Sequence, residues 1–282
     1  MADGANLRAG GLPAPDAARV EALRAALDPA SPENLAEAER KAVVDLLDRV
    51  VSDVRTGDLT EARARLTHLD AALARLDVGA LEPRRGLTGL FDGRGKRLRA
   101  FRETFAEVGR GLADTASDLS ERAGAVSRRD AALETLWAEL RQALEALNAH
   151  LAAALAALAP APTGDEADPH AALRARTRDL TACRDAALAA LPRLRAAQNA
   201  DAPALSALER CTVAVEAWKT EWTDALGLAG RRPKKVRPDP VRLDKARQAL
   251  TDASTHAAAR IDASLKRRTA VTTELQDLRR AL

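Results

Sequence analysis

The chain has 282 residues, 46% of them hydrophobic and 30% charged, with a net charge of +3 and an aromatic set of three Phe, three Trp and no Tyr. Ala and Leu dominate, and these are strong helix formers and weak sheet formers, which excludes a sheet-built fold and leaves one large or two ordinary helical domains with enough Leu for a real core. No stretch of 18 uncharged apolar residues occurs and the start, MADGANLRAGG, carries no apolar signal segment, so a cytoplasmic protein is expected; two cysteines, Cys183 and Cys211, suit a reducing compartment and give no disulfide framework.

Residues 1–30 read as a mobile, Gly- and Pro-bearing N-terminus with one short amphipathic helix from Ala17 to Leu27. Ser31 followed by Pro32 predicts a helix start, with Ser as cap and Pro in the first turn, and the helix runs to Arg55 before Gly57 stops it. Asp58 with Glu61 three residues later has capping-box spacing, opening a helix through Leu66, Leu69, Leu73 and Leu76 to Gly79. Residues 31–78 thus read as a helical hairpin. Five glycines and Pro83 make 79–97 a Gly-rich, basic linker. From Leu98 to Leu158 apolar residues recur three and four apart without a proline, through Phe101, Phe105, Val108, Leu112, Leu119 and onward to Leu151. At about 1.5 Å per residue that helix is on the order of 90 Å long, so the expected fold is all-α and elongated, a bundle over 98–282 built around a very long, coiled-coil-like helix.

The stretch PAPTGDEADP at 160–169 is a turn cluster, and Asp168-Pro169 starts the next helix, which runs to Asn199 with a kink at Pro192. Asp201 and Pro203 are read as a second start, leading through Trp218 and Trp222 to Gly230. The connector RRPKKVRPDP follows, and Asp239-Pro240 opens the last helix. Arg122 and Arg129 fall on the apolar stripe of the long helix, so either it bends near Gly109, Gly111 and Gly124 or these arginines pair with acids across the seam.

No motif announces a reaction. His68, His150, His170 and His256 lie far apart, with no second His or Cys at three or four residues, so no helix presents paired metal ligands and neither metal nor cofactor is expected. A hairpin folded about Asp201 would leave the two cysteines roughly 12 Å out of level, beyond disulfide reach, which disfavours dithiol chemistry. GLFDGRGK at 89–96 has glycines ahead of a lysine, yet LDVGALEPRR before it is no buried strand to present a phosphate loop, so a basic hinge is the plainer reading. Charge is more informative. Residues 79–102 hold seven Arg/Lys against two acids and residues 231–247 eight against two, so +5 and +6 are concentrated at two linkers while the rest of the chain sums to −8. Arg94, Lys96 and Arg97 in the first stretch, with Arg231, Arg232, Lys234, Lys235 and Arg237 in the second, are candidate anion or phosphate contacts, or else solvated connectors. If the long helix and the next helix form a hairpin, each stretch could fall at the same end, and their merger would make an anion-attracting end. Trp218 and Trp222, one turn apart, are core anchors or, with Lys219, a ridge on which a partner helix docks.

The basic GLTGLFDGRGKRL at 86–98, the mid-helix Asp130 before Leu133, DLTACRDAALAALPRLRAAQN at 179–199 and the Trp218-Lys219 step in VAVEAWKTEWTDALG at 213–227 together make residues 86–282 resemble the toxic anion resistance (TelA/KlaA, tellurite resistance) family. A proline-basic connector after the tryptophan segment departs from the family pattern. The resemblance implies a helical, non-enzymatic stress-response protein contributing to tellurite resistance as an interaction or scaffold protein. Its expected partners are other proteins of a stress-response system, and a homo-oligomer is compatible with it. The alternative is a nucleic-acid or anionic membrane-surface binder that uses the basic linkers for weak contact with DNA or lipid.

Overall fold

A computed structural model of the chain describes residues 11–55, 58–81, 94–158, 168–227 and 239–280. Among them every regular element is helical: α1 (Ala17–Ala25), α2 (Glu37–Val54), α3 (Asp58–Ala74), α4 (Arg94–Ala157), α5 (Ala171–Ala225) and α6 (Pro240–Arg280), with short 3-10 turns at Pro32–Asn34 and Val78–Leu81. No described helix is long and apolar enough to cross a membrane. The chain divides into two compact units, one of Met1–Arg55, Arg129–Gln198 and Arg267–Leu282, the other of Thr56–Arg128 and Asn199–Lys266. The long helices α4, α5 and α6 contribute residues to both, whereas α2 belongs to the first unit and α3 to the second. The division therefore falls inside residues 31–78.

In the first unit α2 buries Val43, Leu47, Val50 and Val54, spaced three and four apart, against the Leu133, Leu136, Leu140, Leu144, Leu147 seam of α4 and against α5 and α6. Its start differs from expectation. Ser31 makes no side-chain cap; Pro32–Asn34 form only a 3-10 turn, and α2 begins at Glu37 after Ala36, which sits in the left-handed region at φ 50°. That conformation costs roughly 1–2 kcal/mol for a residue with a Cβ. Burial of Ala36 offsets it, as do two bonds from Arg176 of α5 to the Leu35 carbonyl, at 3.1 and 2.9 Å. Arg40 and Arg176 also clasp the Glu37 carboxylate, at 2.7 and 2.6 Å, and hold its pKa down at about 2.

The other end of α2 is closed by arginines. Arg268 of α6, 3% exposed, donates to the Val54 carbonyl at 2.6 Å and lies 3.3 Å from Asp130 of α4. Arg129 donates to the Arg55 carbonyl at 2.7 Å, and Gln198 of α5 donates to the backbone oxygen of Asp130 at 3.0 Å.

In the second unit α3 packs Leu59, Leu66, Leu69 and Leu73 against α4, α5 and α6. Arg65–Asp118 and Arg75–Glu107 tie it to α4, and Arg63–Asp262 ties it to α6. Of the two sequence alternatives for Arg122, pairing is observed: it is bonded to Glu61 of α3 and lies 3.6 Å from Asp118. The helix runs unbroken through Gly109, Gly111 and Gly124.

The largest correction lies in α5. The two helices expected on either side of Asp201 are one, continuous through Pro192 and Pro203. An interior proline removes a helix bond and crowds the preceding turn at a cost of about 3 kcal/mol. Here the helix is held by burial on both sides, through Ala190, Leu191 and Leu194 in the first unit and Ala204, Ala207 and Leu208 in the second. Asp201, expected to cap, is fully buried and accepts from Ser264 of α6 at 2.5 Å. The starts at Asp168 and Asp239 follow expectation. Asp168 accepts from the His170 amide at 2.9 Å, which with Arg174 keeps its carboxyl below the usual range, and Asp239 accepts from the Arg242 amide at 3.2 Å.

Replacing Arg268 by Ala strands the Val54 carbonyl and takes a partner from Asp130, and urea unfolding should register a loss of about 3–5 kcal/mol. The same change at Arg280, whose side chain is 76% exposed, should register less than about 0.5 kcal/mol. Equal effects would show that the α2 terminus does not depend on Arg268.

Candidate functional site

The second unit carries an aromatic cluster that organises one of its ends. Trp218 and Trp222, one turn apart on α5, have ring centroids 5.1 Å apart. Phe105 of α4 lies 5.6 Å from Trp218 and 5.9 Å from Trp222, and Phe101 stacks on Trp222 at 6.5 Å. These separations are those of favourable aromatic pairs. Both indoles are buried, to 1% and 0% exposure. A docking ridge must face outward, so the reading of Trp218 and Trp222 as that ridge is corrected: they are core anchors, and Lys219 between them is exposed.

The cluster also holds the first turns of α4 and α6. Phe101 sits in the second turn of α4, and Trp222 Nε1 donates to the carbonyl of Leu243, in the first turn of α6, at 3.0 Å. Both helix starts thus meet on Trp222 at one end of this unit. Lys96 and Arg99 are exposed there and Arg97 is half-buried; Arg94 opens α4, its side chain outside the described set. Arg231, Arg232, Lys234, Lys235 and Arg237 lie outside the described residues. On α6, Arg242 is engaged by Glu221 at 2.5 Å and by Asp224 at 3.6 Å. The first turn of α4 contains no acid, although the positive pole of a helix favours one.

One feature of this end has no sequence signal. A cavity of about 490 Å³ lies between α5 and α6, lined by Ala214, Ala217, Trp218 and Glu221 on one side and Arg242, Lys245, Ala246 and Ala249 on the other. The residues recur at three, four and seven on both helices, a pattern that reads as helix surface until the partner helix and its register are known.

The thiols are placed apart, Cys183 in the first unit and Cys211 in the second, both free and both buried. Burial pushes the Cys183 thiol up despite the nearby Arg40, Arg176 and Arg279 guanidiniums, and burial with the Asp70 carboxylate pushes Cys211 up to about 11. Both are therefore thiols rather than thiolates at neutral pH. Because α5 is one helix, no turn brings them level, and the offset expected from a hairpin at Asp201 does not apply. Among the described residues no three His, Cys, Asp or Glu side chains come together to hold a metal ion.

Trp222→Phe leaves the Leu243 carbonyl without its indole donor, and urea unfolding should show a loss of roughly 1–3 kcal/mol. Faster amide exchange in the first turns of α6 should accompany it, and unchanged exchange there would disconnect Trp222 from the start of α6.

The family described as toxic anion resistance protein (TelA) matches residues 20–235. Protein KlaB of Escherichia coli is similar, 27% identical over 251 residues that cover 79% of this chain and 66% of KlaB, so the chain spans a little under two thirds of the length of that curated relative. No solved structure matches the chain. The family match begins before the 86–282 span on which the sequence resemblance rested and ends in the connector ahead of α6. It takes in the α2 contacts, the half-buried Asp130 of α4 and the Trp218-Lys219 step alike, and over that span the chain belongs to the toxic anion resistance (TelA) family.

Proposed function

We propose that the chain acts in the cytoplasm as a non-enzymatic helical interaction protein, a scaffold contributing to resistance to toxic anions such as tellurite, with other proteins of a stress-response system as its partners and self-association as one mode of assembly. The match to the family over residues 20–235 carries this reading. It is supported by the state of the thiols: a cysteine that reduces an oxyanion attacks as thiolate, and both cysteines are buried with raised pKa values. In a strain lacking the protein, the doubly substituted Cys183→Ala, Cys211→Ala variant should restore survival on tellurite to the wild-type level. Lost resistance from a variant that folds and accumulates normally would replace scaffolding with thiol chemistry.

The second reading, a nucleic-acid or anionic-surface binder, is favoured by one specific observation: the first turns of α4 bear Arg94, Lys96, Arg97, Arg99 and Arg102 with no acid before Glu103, at the helix pole where cations are unfavourable. Contact with phosphates there would release counterions and weaken steeply with salt. Lys96→Glu with Arg99→Glu should lower affinity for duplex DNA or for vesicles containing anionic lipid, and should flatten its salt dependence by a slope of roughly 1–2. Tight, sequence-discriminating DNA binding at physiological salt would promote this reading over the first.

A further inference from the structure

Beyond that reading, we infer that the entry into α2 is a latch: residues 11–30 form a strap on the first unit that opens when Leu35 and Ala36 turn helical and α2 lengthens back to Ser31. Local sequence favours the longer helix. Ser31 and Pro32 have the chemistry of a cap and a first helical position, and from Glu33 to Val54 no glycine or proline interrupts the run. Pro32–Asn34 already form a 3-10 turn, so the break is confined to Leu35, extended at ψ 118°, and Ala36, left-handed at φ 50°. Among the described residues Ala36 alone, glycine aside, has a positive φ. That conformation favours the straight form by about fivefold to thirtyfold.

Two contacts oppose that preference. Arg176 of α5 donates twice to the Leu35 carbonyl, which a continuous helix would give to the Glu39 amide, and once to the Glu37 carboxylate at 2.6 Å. Its side chain is 15% exposed, so these bonds form where water competes weakly. The second contact is apolar: Leu12 is buried in the core of the first unit. No polar contact fastens the strap itself. Among the described residues no hydrogen bond or ion pair joins residues 11–34 to the helices that follow, and the carboxylates of Asp16, Glu21 and Asp28 bond only within the strap. No residue of α1 is buried; Val20 and Leu23 are half-buried, as is Leu27 beyond its end. A helix of nine residues is marginal without tertiary support, so the clasp at Arg176 decides whether the strap stays down.

One segment therefore has two forms. In the bent form Leu12 is seated, and Ala36 at the cap position of α2 offers no side chain to the first-turn amides. In the straight form Ser31 is the cap, those amides bond within the helix, and Leu12 leaves with the strap. Opening bares the apolar surface under Leu12, so the strap controls access to that surface of the first unit. Any group that takes the Arg176 guanidinium from Leu35 opens it.

Amide exchange of the full chain, read residue by residue, separates a latch from fraying, because a latch moves the two ends of the segment in opposite senses. Arg176→Ala should speed exchange of the Ala17–Ala25 amides by about tenfold or more and slow that of Glu37–Glu39. Adding Ala36→Gly should reverse both changes, since glycine suits the left-handed form and weakens the straight helix. Two single variants test the latch without touching the clasp. Ser31→Ala removes a side chain that makes no cap bond in the bent form, and should slow exchange of the strap by about fivefold. Ala36→Gly alone should slow it by about tenfold or more. Faster exchange at both ends in Arg176→Ala, or strap exchange that neither Ser31→Ala nor Ala36→Gly alters, overturns the latch and leaves a fraying N-terminal segment.

Discussion

Three helices built from Ala and Leu seams can slide past one another by a heptad at little apolar cost, because one Leu layer resembles the next. In the first unit the contacts that break on such a slip are polar. Arg268 of α6 reaches the last carbonyls of α2 and Asp130 of α4, Arg129 of α4 reaches Arg55, and Gln198 of α5 reaches the backbone of Asp130. Each long helix sends one or two residues to the point where α2 ends. A helix terminus leaves carbonyls without intrahelical partners, and a guanidinium at 3% exposure is tolerated when its donors are taken. Each need answers the other, and together they fix which residues of α4, α5 and α6 are level. In the second unit the fully buried Asp201–Ser264 bond serves α5 and α6 in the same way.

That division of labour explains what the sequence disclosed and what it concealed. The long helix was legible because thirteen apolar positions from Leu98 to Leu151 hold one period, and its observed span, Arg94–Ala157, differs at the ends by a few residues. The starts at Asp168 and Asp239 were legible because a cap acts on its own backbone. Asp201 carries the same local signal and misled, since its carboxylate is spent on Ser264 many residues away, and burial on both flanks carries the helix through Pro192 and Pro203. Ser31 misled for a related reason: the entry into α2 is decided by Arg176, a residue of α5, acting on Leu35 and Glu37. Local chemistry was readable wherever it acted locally.

The candidate site divides along the same line. That α4 and α6 begin together on Trp222 depends on α5 being one helix: a turn at Asp201 would have sent the start of the last helix to the opposite end. The tryptophans themselves could not be sorted into anchor or ridge by spacing, because a one-turn step marks a face without saying which way it looks. Phe101 and Phe105 decide it by occupying that face from α4. The cavity beside Trp218 had no precursor in the pattern, since alanines on a helix surface are ordinary until the neighbouring helix is in register.

The burial that makes the aromatic cluster a poor docking ridge makes it a good foundation for the charges above it. Cations in the first turn of a helix oppose its dipole by a few tenths of a kcal/mol each, up to about 1 kcal/mol, and α4 opens on several with no acid to offset them. An isolated helix would fray under that load. Phe101 and Phe105, packed on two buried indoles, anchor the second and third turns and keep the basic segment helical up to the rim. The electrostatic cost is then borne by apolar packing rather than by counter-charges. The exposed Lys96 and Arg99 remain available to an external anion, where neutralising acids on the same turn would have cancelled them.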